Sequence, residues 1–323
     1  MLAVAASTIH ALILIVVGLL MGLIAVGRFC ANLIHLTMIE TKRLSPEVLE
    51  FRIPYKSGET FEFFLASDIH LDNPKCDRKL FARHLDEAKA KNAPSLFFGD
   101  VFCLMQGSKD RRADKGSIRI GHLKGAYFDT VFEEGANWLS KWGDNIYMMS
   151  DGNHETAIMK HNEVDPLRNV TRLMREQGSK VEHMSYQGFI YIKFYQQNPD
   201  GSQGKVRMTT LAFHHGVWGG VVTKGTLGGS RYFNIFPTAN IVLNGHNHER
   251  TAVTHTCYMP NAVGQVEITD RLHLQSGTYK EEFGKFGGFA VEKIAMPKSL
   301  GGLWLKLKPK DKGGVAISCE FAT

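Results

Sequence analysis

Asp151-Gly152-Asn153-His154-Glu155 follows the apolar run Ile146-Tyr147-Met148-Met149, and the join between the two decides the fold. Four apolar residues without polar alternation predict a short strand buried on both faces. Gly152 predicts a sharp turn. Asn153 and His154 then stand side by side at the strand's carboxyl end, where open α/β sheets place their ligand chemistry. An amide oxygen can bind a metal and an imidazole can move a proton, and Glu155 is expected to hold that imidazole in one tautomer. Gly-Asn-His also occurs in plain turns, so its weight depends on how the other strands end.

They end alike. Phe61 to Leu65 reads as a buried strand running into Ser67-Asp68-Ile69-His70-Leu71-Asp72, and Leu96-Phe97-Phe98 stops at Gly99-Asp100. Met208 to Phe213 stops at His214-His215-Gly216, and Ile241-Val242-Leu243 at Asn244-Gly245-His246-Asn247-His248. Between them, Leu80 to Lys91 and Tyr127 to Trp142 carry apolar stripes at helical spacing, and Asp165-Pro166 predicts an N-cap opening a helix to about Arg175. Val48 to Ile53 is expected as a first edge strand or lead-in, and Ile190 to Tyr195 as a strand. Leu272-His273-Leu274 and Gly288 to Ile294 are expected to close the sheets, with Leu303 to Lys308 a half-exposed edge guarded by lysines. Strands alternating with helices early and strand-rich sequence late predict an α/β architecture of mixed sheets.

Five strand ends therefore deliver Asp68 and His70, Asp100, Asn153 and His154, His214, and His246 and His248. Oxygen and imidazole donors without thiolates suit Mn²⁺, Fe, Zn²⁺ or Mg²⁺ and argue against a structural zinc site. One carboxylate at a tight Gly-Asp turn can bridge two ions. Each motif alone is weak; the ordered set predicts a dinuclear metal site.

With Asp68-Ile69-His70, Gly99-Asp100, Gly152-Asn153-His154-Glu155, His214 and Gly245-His246-Asn247-His248 in this order, the sequence resembles the calcineurin-like metallophosphoesterases over roughly Phe61 to Thr278. The resemblance implies a four-layer αββα sandwich of two mixed β-sheets. It implies that Asp68, His70 and His248 hold one metal and Asn153, His214 and His246 the other, with Asp100 bridging. Either His214 or His215 supplies the fourth motif; His214, which ends the strand directly, is the expectation. His154 matches the histidine that contacts the phosphate and assists the leaving group, and Glu155 the acid beside it. Gln275-Ser276-Gly277-Thr278 resembles the Gly-Ser turn after the last metal motif. Cys103 stands where many members carry a second aspartate, which is expected to alter local hydrogen bonding only.

The resemblance thus implies a metal-dependent phosphoesterase acting on phosphodiesters, with two divalent ions, Mn²⁺ first. A DNA exonuclease or endonuclease of the same family is the alternative, and a catalytically silent protein-binding scaffold is the alternative of another class. Lys109, Arg111, Arg112, Lys115 and Arg119 come after Asp100, so Arg111 and Arg112 are candidate substrate contacts, as is Lys224 in the glycine-rich loop after Gly216. A solvated loop accounts for either stretch equally well. His84, His122, His161, His183, His255 and His273 belong to no motif and are expected as structural or surface residues.

Composition sets outer bounds. A chain of 323 residues buries one large core or two small ones. The formal charge of +6 permits a phosphate-bearing partner, nucleic acid included, without arguing for a protein that coats nucleic acid. Cys30, Cys76, Cys103, Cys257 and Cys319 form no CxxC pair and read as reduced thiols. Leu2 to Gly27 carries no charge, long enough to cross a bilayer at roughly 20 residues per span. Residues 1–37 are thus expected as an N-terminal hydrophobic helix, either a membrane anchor or a non-native upstream extension, with 38–323 as the catalytic domain. Arg28, Lys42 and Arg43 after the run favour the cytoplasmic side for that domain.

Overall fold

The computed structural model describes residues 39–104, 116, 118–198, 200–217, 226–260, 264–283 and 296–323. The expected N-terminal helix, the strand at Gly288 to Ile294, and the candidate contacts Arg111, Arg112 and Lys224 lie outside them. Among the described residues no helix is long and apolar enough to cross a membrane.

Thirteen strands and five α-helices are described. β1 (Glu40–Ser45), β2 (Val48–Tyr55), β7 (Gln187–Gln197), β8 (Gln203–His214), β9 (Ile241–Asn244), β11 (Val266–Gln275) and β10 (Thr251–Pro260) form a seven-stranded sheet in that spatial order. β13 (Val315–Phe321), β12 (Leu303–Pro309), β3 (Phe61–Ala66), β4 (Ser95–Phe98), β5 (Ile146–Ser150) and β6 (Glu182–Met184) form a six-stranded one. Both are mixed: β3 to β6 run parallel with β12 and β13 antiparallel, while β8, β9 and β11 run parallel beside antiparallel β7 and β10.

Strand alternation sorts side chains into layers. Phe64, Ala66, Phe97, Met149 and Trp304 turn to one face of the six-stranded sheet. There they pack with α1 (Arg78–Ala90), α2 (Tyr127–Leu139) and α4 (Pro166–Glu176) through Phe81, Leu85, Val131, Phe132, Val170 and Met174. Their neighbours turn inward, where Phe98 meets Phe213 at 5.4 Å and Phe51 meets Tyr147 at 5.9 Å between ring centroids. Each such edge-on pair adds about 0.5–1.5 kcal/mol beyond its buried area. On the far face of the seven-stranded sheet, Ala212 and Val242 pack against Tyr232 and Phe233 of α5 (Thr226–Ile235) and against Phe236. The order is helices, sheet, sheet, helix.

Several expectations need correction. The Val48 strand is no edge, because β1 pairs outside it in antiparallel fashion; β1 is too polar to show a burial pattern. Leu303 to Lys308 is no edge either: β12 lies between β3 and β13, and Lys306 pairs with Glu320 at 2.7 Å and Glu62 at 3.6 Å across the strands. β10 and the helix α3 (Asn153–Asn162) were not expected at all. The Tyr127 helix ends at Leu139 and continues as a single 3₁₀ turn, Ser140–Trp142.

Candidate metal centre

β3, β4 and β5 are parallel neighbours, as are β8 and β9, so five carboxyl ends gather on one rim of the sandwich. Each delivers its residues through a turn rather than by extending the strand. Asp68, His70, Asp100, His246 and His248 all have φ between 50° and 70°. That left-handed region costs a non-glycine residue about 1–3 kcal/mol, and such strain concentrates at functional sites.

The turns are locked to one another. Asp68 N–H donates to the Gly99 carbonyl at 3.0 Å, His70 N–H to Asp100 at 3.0 Å, and Leu71 N–H to Val101 at 2.8 Å. Gly152 has φ −113°, ordinary extended backbone, so the sharp turn is not what requires a glycine there. Close approach is: a Cβ at 152 would run into the Asp100 carboxylate and backbone nitrogen. Gly245 is bare for the same reason, with Ser67 and the Asp68 carboxylate against it.

Asp68, His70 and His248 form one donor group, and Asp100, His215 and His246 a second. His248 Nε2 lies 3.3 Å from Asp68 Oδ1 and 3.4 Å from His70 Nε2. His215 Nε2 lies 3.3 Å from Asp100 Oδ2 and 3.2 Å from Asn153 Oδ1, which also meets His246 Nδ1 at 2.7 Å. At 3.9 Å from Asp68 Oδ1, His215 links the two groups.

Of the adjacent pair, His215 joins the cluster and His214 does not. His214 turns to the α5 side, where its Nδ1 accepts from Gly216 N–H at 3.0 Å and its ring meets Tyr186 and Tyr232. Alternation explains this: Ala212 faces α5 and Phe213 faces the other sheet, so 214 faces out and 215 in. The facing of Ala212 and Phe213 thus gives the inward place to His215 rather than to the strand-end histidine.

The electrostatics are those of a buried cluster short of positive charge. Burial would raise the Asp100 carboxyl, but His215 and His154 outweigh it and hold Asp100 well below the usual carboxylate range. Burial would lower His215, yet Asp100 pushes it up to about 10, so the protein alone balances the site with an imidazolium. His70 is held well below its ordinary value by burial, with His154 adding to the effect. His246 is lowered by burial and by His215. Neutral imidazoles are the form that ligates.

His154 opens α3, and its Nδ1 faces the Cys103 carbonyl at 2.5 Å. A carbonyl only accepts, so Nδ1 carries the proton and Nε2 faces Asp100 Oδ2 at 3.8 Å. Glu155 therefore does not set the His154 tautomer. Its buried carboxylate accepts instead from Gly152 N–H at 2.8 Å, Asp100 N–H at 3.1 Å and Phe102 N–H at 3.0 Å, tying two turns to one side chain. Asp72 does the same for the next residues, accepting from Cys103 N–H at 2.5 Å and Leu104 N–H at 2.9 Å. Nothing in the sequence separates Asp72 from a solvated turn residue. Cys103 Sγ meets Asn73 Nδ2 at 3.3 Å. Below the centre, Thr278 Oγ1 donates to the Asp68 carbonyl at 2.7 Å and Ser276 Oγ accepts from Ser67 N–H at 3.1 Å, which gives the Gln275–Thr278 stretch its place.

No protein-family model and no curated protein matches the chain. Among solved structures, vacuolar protein sorting 29 from Cryptosporidium parvum is 13% identical, with a TM-score of 0.34 over 81% of this chain and 97% of that one. A conserved uncharacterized protein from Streptococcus pneumoniae, described as a predicted phosphoesterase, is 12% identical, with a TM-score of 0.31 over 82% and 99%. GAP50, the anchor in the inner membrane complex of Plasmodium, is 13% identical, with a TM-score of 0.38 over 81% and 84%. With TM-scores under 0.5 these likenesses carry no argument, and the chemistry rests on the geometry of the site.

Proposed function

We propose that the protein is a metal-dependent phosphoesterase of the calcineurin-like kind, acting on phosphodiesters. The observation that carries this is the placement of Asp100 among two donor groups, each built from both sheets, with His154 beside it. The residues fit divalent cations. Carboxylates, an amide oxygen and imidazoles converge, and among the described residues the buried His70 Nδ1 has no hydrogen-bond partner. In this reading Asp68, His70 and His248 hold one cation and Asn153, His215 and His246 the other, with Asp100 shared.

Two bound cations would supply charge for the phosphoryl oxygens and acidify an attacking water. The chain's own residues do the rest. The left-handed turns hold the donors in place before substrate arrives, so little reorganisation is left for the reaction. The Cys103 carbonyl takes the Nδ1 proton and fixes the His154 ring with Nε2 toward the cluster, so the second proton of the imidazolium form can stabilise or protonate a departing ester oxygen. Membrane attachment through residues 2–27 remains part of the proposal, tested by whether the full chain fractionates with membranes.

The test is turnover of a chromogenic phosphodiester and its matching monoester, with and without Mn²⁺, by the wild type and by Asp100→Asn. Mn²⁺-dependent diester cleavage lost in the variant supports the proposal. Preference for the monoester would make it a phosphatase instead. Folded protein that binds metal but turns over neither ester with Mn²⁺, Zn²⁺, Fe²⁺ or Mg²⁺ would leave the scaffold alternative standing.

A further inference from the structure

A second charged site lies beside the metal centre, outside every motif. Arg168, Arg172 and Arg175 fall at i, i+4 and i+7 of α4 and are all exposed, while Leu167, Val170 and Met174 are buried on its other side. Like charges one turn apart weaken a helix unless something answers them. Arg43, from the end of β1, comes from the opposite side, and together the four arginines line a cavity of about 440 Å³ with Asp165, Glu182 and His183.

The local acids do not neutralise it. Glu182 is shared by two guanidiniums: Arg43 reaches its Oε2 with Nε at 3.1 Å and Nη2 at 2.7 Å, and Arg175 reaches its Oε1 at 3.3 Å. Asp165 spends Oδ1 on the Arg168 backbone N–H at 2.9 Å as the cap of α4. Arg172 pairs with Glu176 at 2.5 Å, but both are more than half exposed, so that pair is worth little. The Arg168 guanidinium has no acceptor among the described residues. With Glu176 counted beside Arg172, four guanidiniums meet three carboxylates, which leaves one positive charge in excess and the Arg168 guanidinium unanswered.

The cavity joins the catalytic turn. His183 Nε2 meets Asp151 Oδ1 at 2.9 Å, and Asp151 stands two residues before Asn153. His183, which lines the cavity, is thus one hydrogen bond and two residues of chain away from Asn153 of the metal centre.

We propose that this pocket is an anion subsite that takes a second phosphate of the substrate, beyond the ester that is cleaved. Guanidinium forks match phosphate oxygens two at a time, which makes arginine rather than lysine the expected residue for such a subsite. This rests on the phosphoesterase proposal in so far as the second phosphate belongs to the same substrate. That phosphate can come from a nucleoside diphosphate or from the next linkage of a nucleic-acid strand.

The test uses the full chain in EDTA, so that metal-held phosphate does not contribute. Binding of ADP and of a short single-stranded oligodeoxynucleotide is measured by calorimetry, for the wild type and for the double variant Arg168→Gln, Arg172→Gln. Binding is expected to weaken roughly tenfold or more in the variant, as for lost charge-assisted hydrogen bonds. Its melting temperature and Mn²⁺-dependent turnover of the small chromogenic diester should be unchanged. Loss of ADP binding assigns the small-molecule source; loss of oligonucleotide binding alone assigns the strand. Wild type that binds neither probe, or a variant that binds as well as wild type, overturns the subsite even if the diester is cleaved. Binding that depends on the arginines in a protein that cleaves no ester keeps the anion site and removes the phosphoesterase reading.

Discussion

The two sheets build their halves of the metal centre by different means. On the six-stranded side, the turns after β3, β4 and β5 are braced by each other's backbone and by two buried carboxylates, Glu155 and Asp72, which collect five backbone N–H groups between them. On the seven-stranded side, the turn after β9 leans on the first half: His246 N–H donates to Asp68 Oδ2 at 2.9 Å, and the His215 ring packs against the Phe98 carbonyl at 3.0 Å. The first half braces most of its own turns, with Ser276 and Thr278 helping at β3, and the β9 turn is mounted on it. Damage to the carboxylate half should therefore spread to the histidines, whereas damage to the histidine half should stay local.

Asp100→Asn gives the largest expected effect, because Asp100 stands on the six-stranded half and also pairs with His215 of the other. Activity should fall at least about 10²–10³-fold, the usual cost of one preorganised charge in a site. The metal-free variant should also unfold more easily, by about 3–5 kcal/mol, since His215 loses the partner of a buried ion pair. Urea unfolding in EDTA measures that part; equal midpoints for wild type and variant would mean that Asp100 does not brace the metal-free site.

His215→Gln against His214→Gln comes next and tests whether damage stays local. The first should weaken Mn²⁺ binding by roughly 10–100-fold or more and leave the six-stranded turns in place, although loss of Asp100's buried partner lowers stability in EDTA by about 3–5 kcal/mol. The second removes the bond from Gly216 N–H and the ring contacts with Tyr186 and Tyr232, costing about 1–2 kcal/mol, and should leave metal affinity alone. Manganese titration of both proteins decides it, and the reverse ranking would give the fourth motif back to His214.

The sequence made the strand ends legible because buried parallel strands are short apolar runs that stop at polar residues, and all five donor-bearing ends were found that way. The choice between His214 and His215 was not legible, because Thr209 to Phe213 is buried throughout and no alternation marks which face each residue takes. The role of Glu155 was hidden because a carboxylate beside a histidine suggests a tautomer lock. Only the approach of the β4 turn shows that its oxygens go to the Asp100, Phe102 and Gly152 N–H groups. β1 and β10 escaped because polar or threonine-rich edge sequence carries little burial signal. The Arg43–α4 pocket joins residues more than a hundred positions apart, a proximity that no local pattern reveals.

Glu155→Gln probes the brace itself. The amide keeps one acceptor oxygen and turns an N–H₂ toward backbone donors, so at least one of three N–H groups is left unsatisfied. The expected loss is about 1–3 kcal/mol of stability. Because the β4 and β5 turns carry Asp100 and Asn153, Mn²⁺ affinity should fall with it, although Glu155 touches no cation in the proposed arrangement. Stability lost with metal affinity unchanged would show that the brace serves the fold alone.

The smallest effect sits one step further out. Arg78 of α1 donates from Nε to the Leu71 carbonyl at 2.9 Å, steadying the turn that carries His70, and its fork is held by Glu134 of α2 at 2.5 and 2.9 Å. Burial alone would raise the Glu134 carboxyl, but Arg78 outweighs burial and holds it below its ordinary value of 4.5. A carboxyl lowered on folding contributes stability above its unfolded value, and that contribution is lost as pH falls through the folded one. Wild type should therefore lose melting temperature below pH 4.5 faster than Glu134→Gln, while the two converge in slope above it. Partial exposure of Glu134 keeps the difference small. Parallel melting curves across that range would mean that the Leu71 turn is held by its backbone bonds without help from the helices.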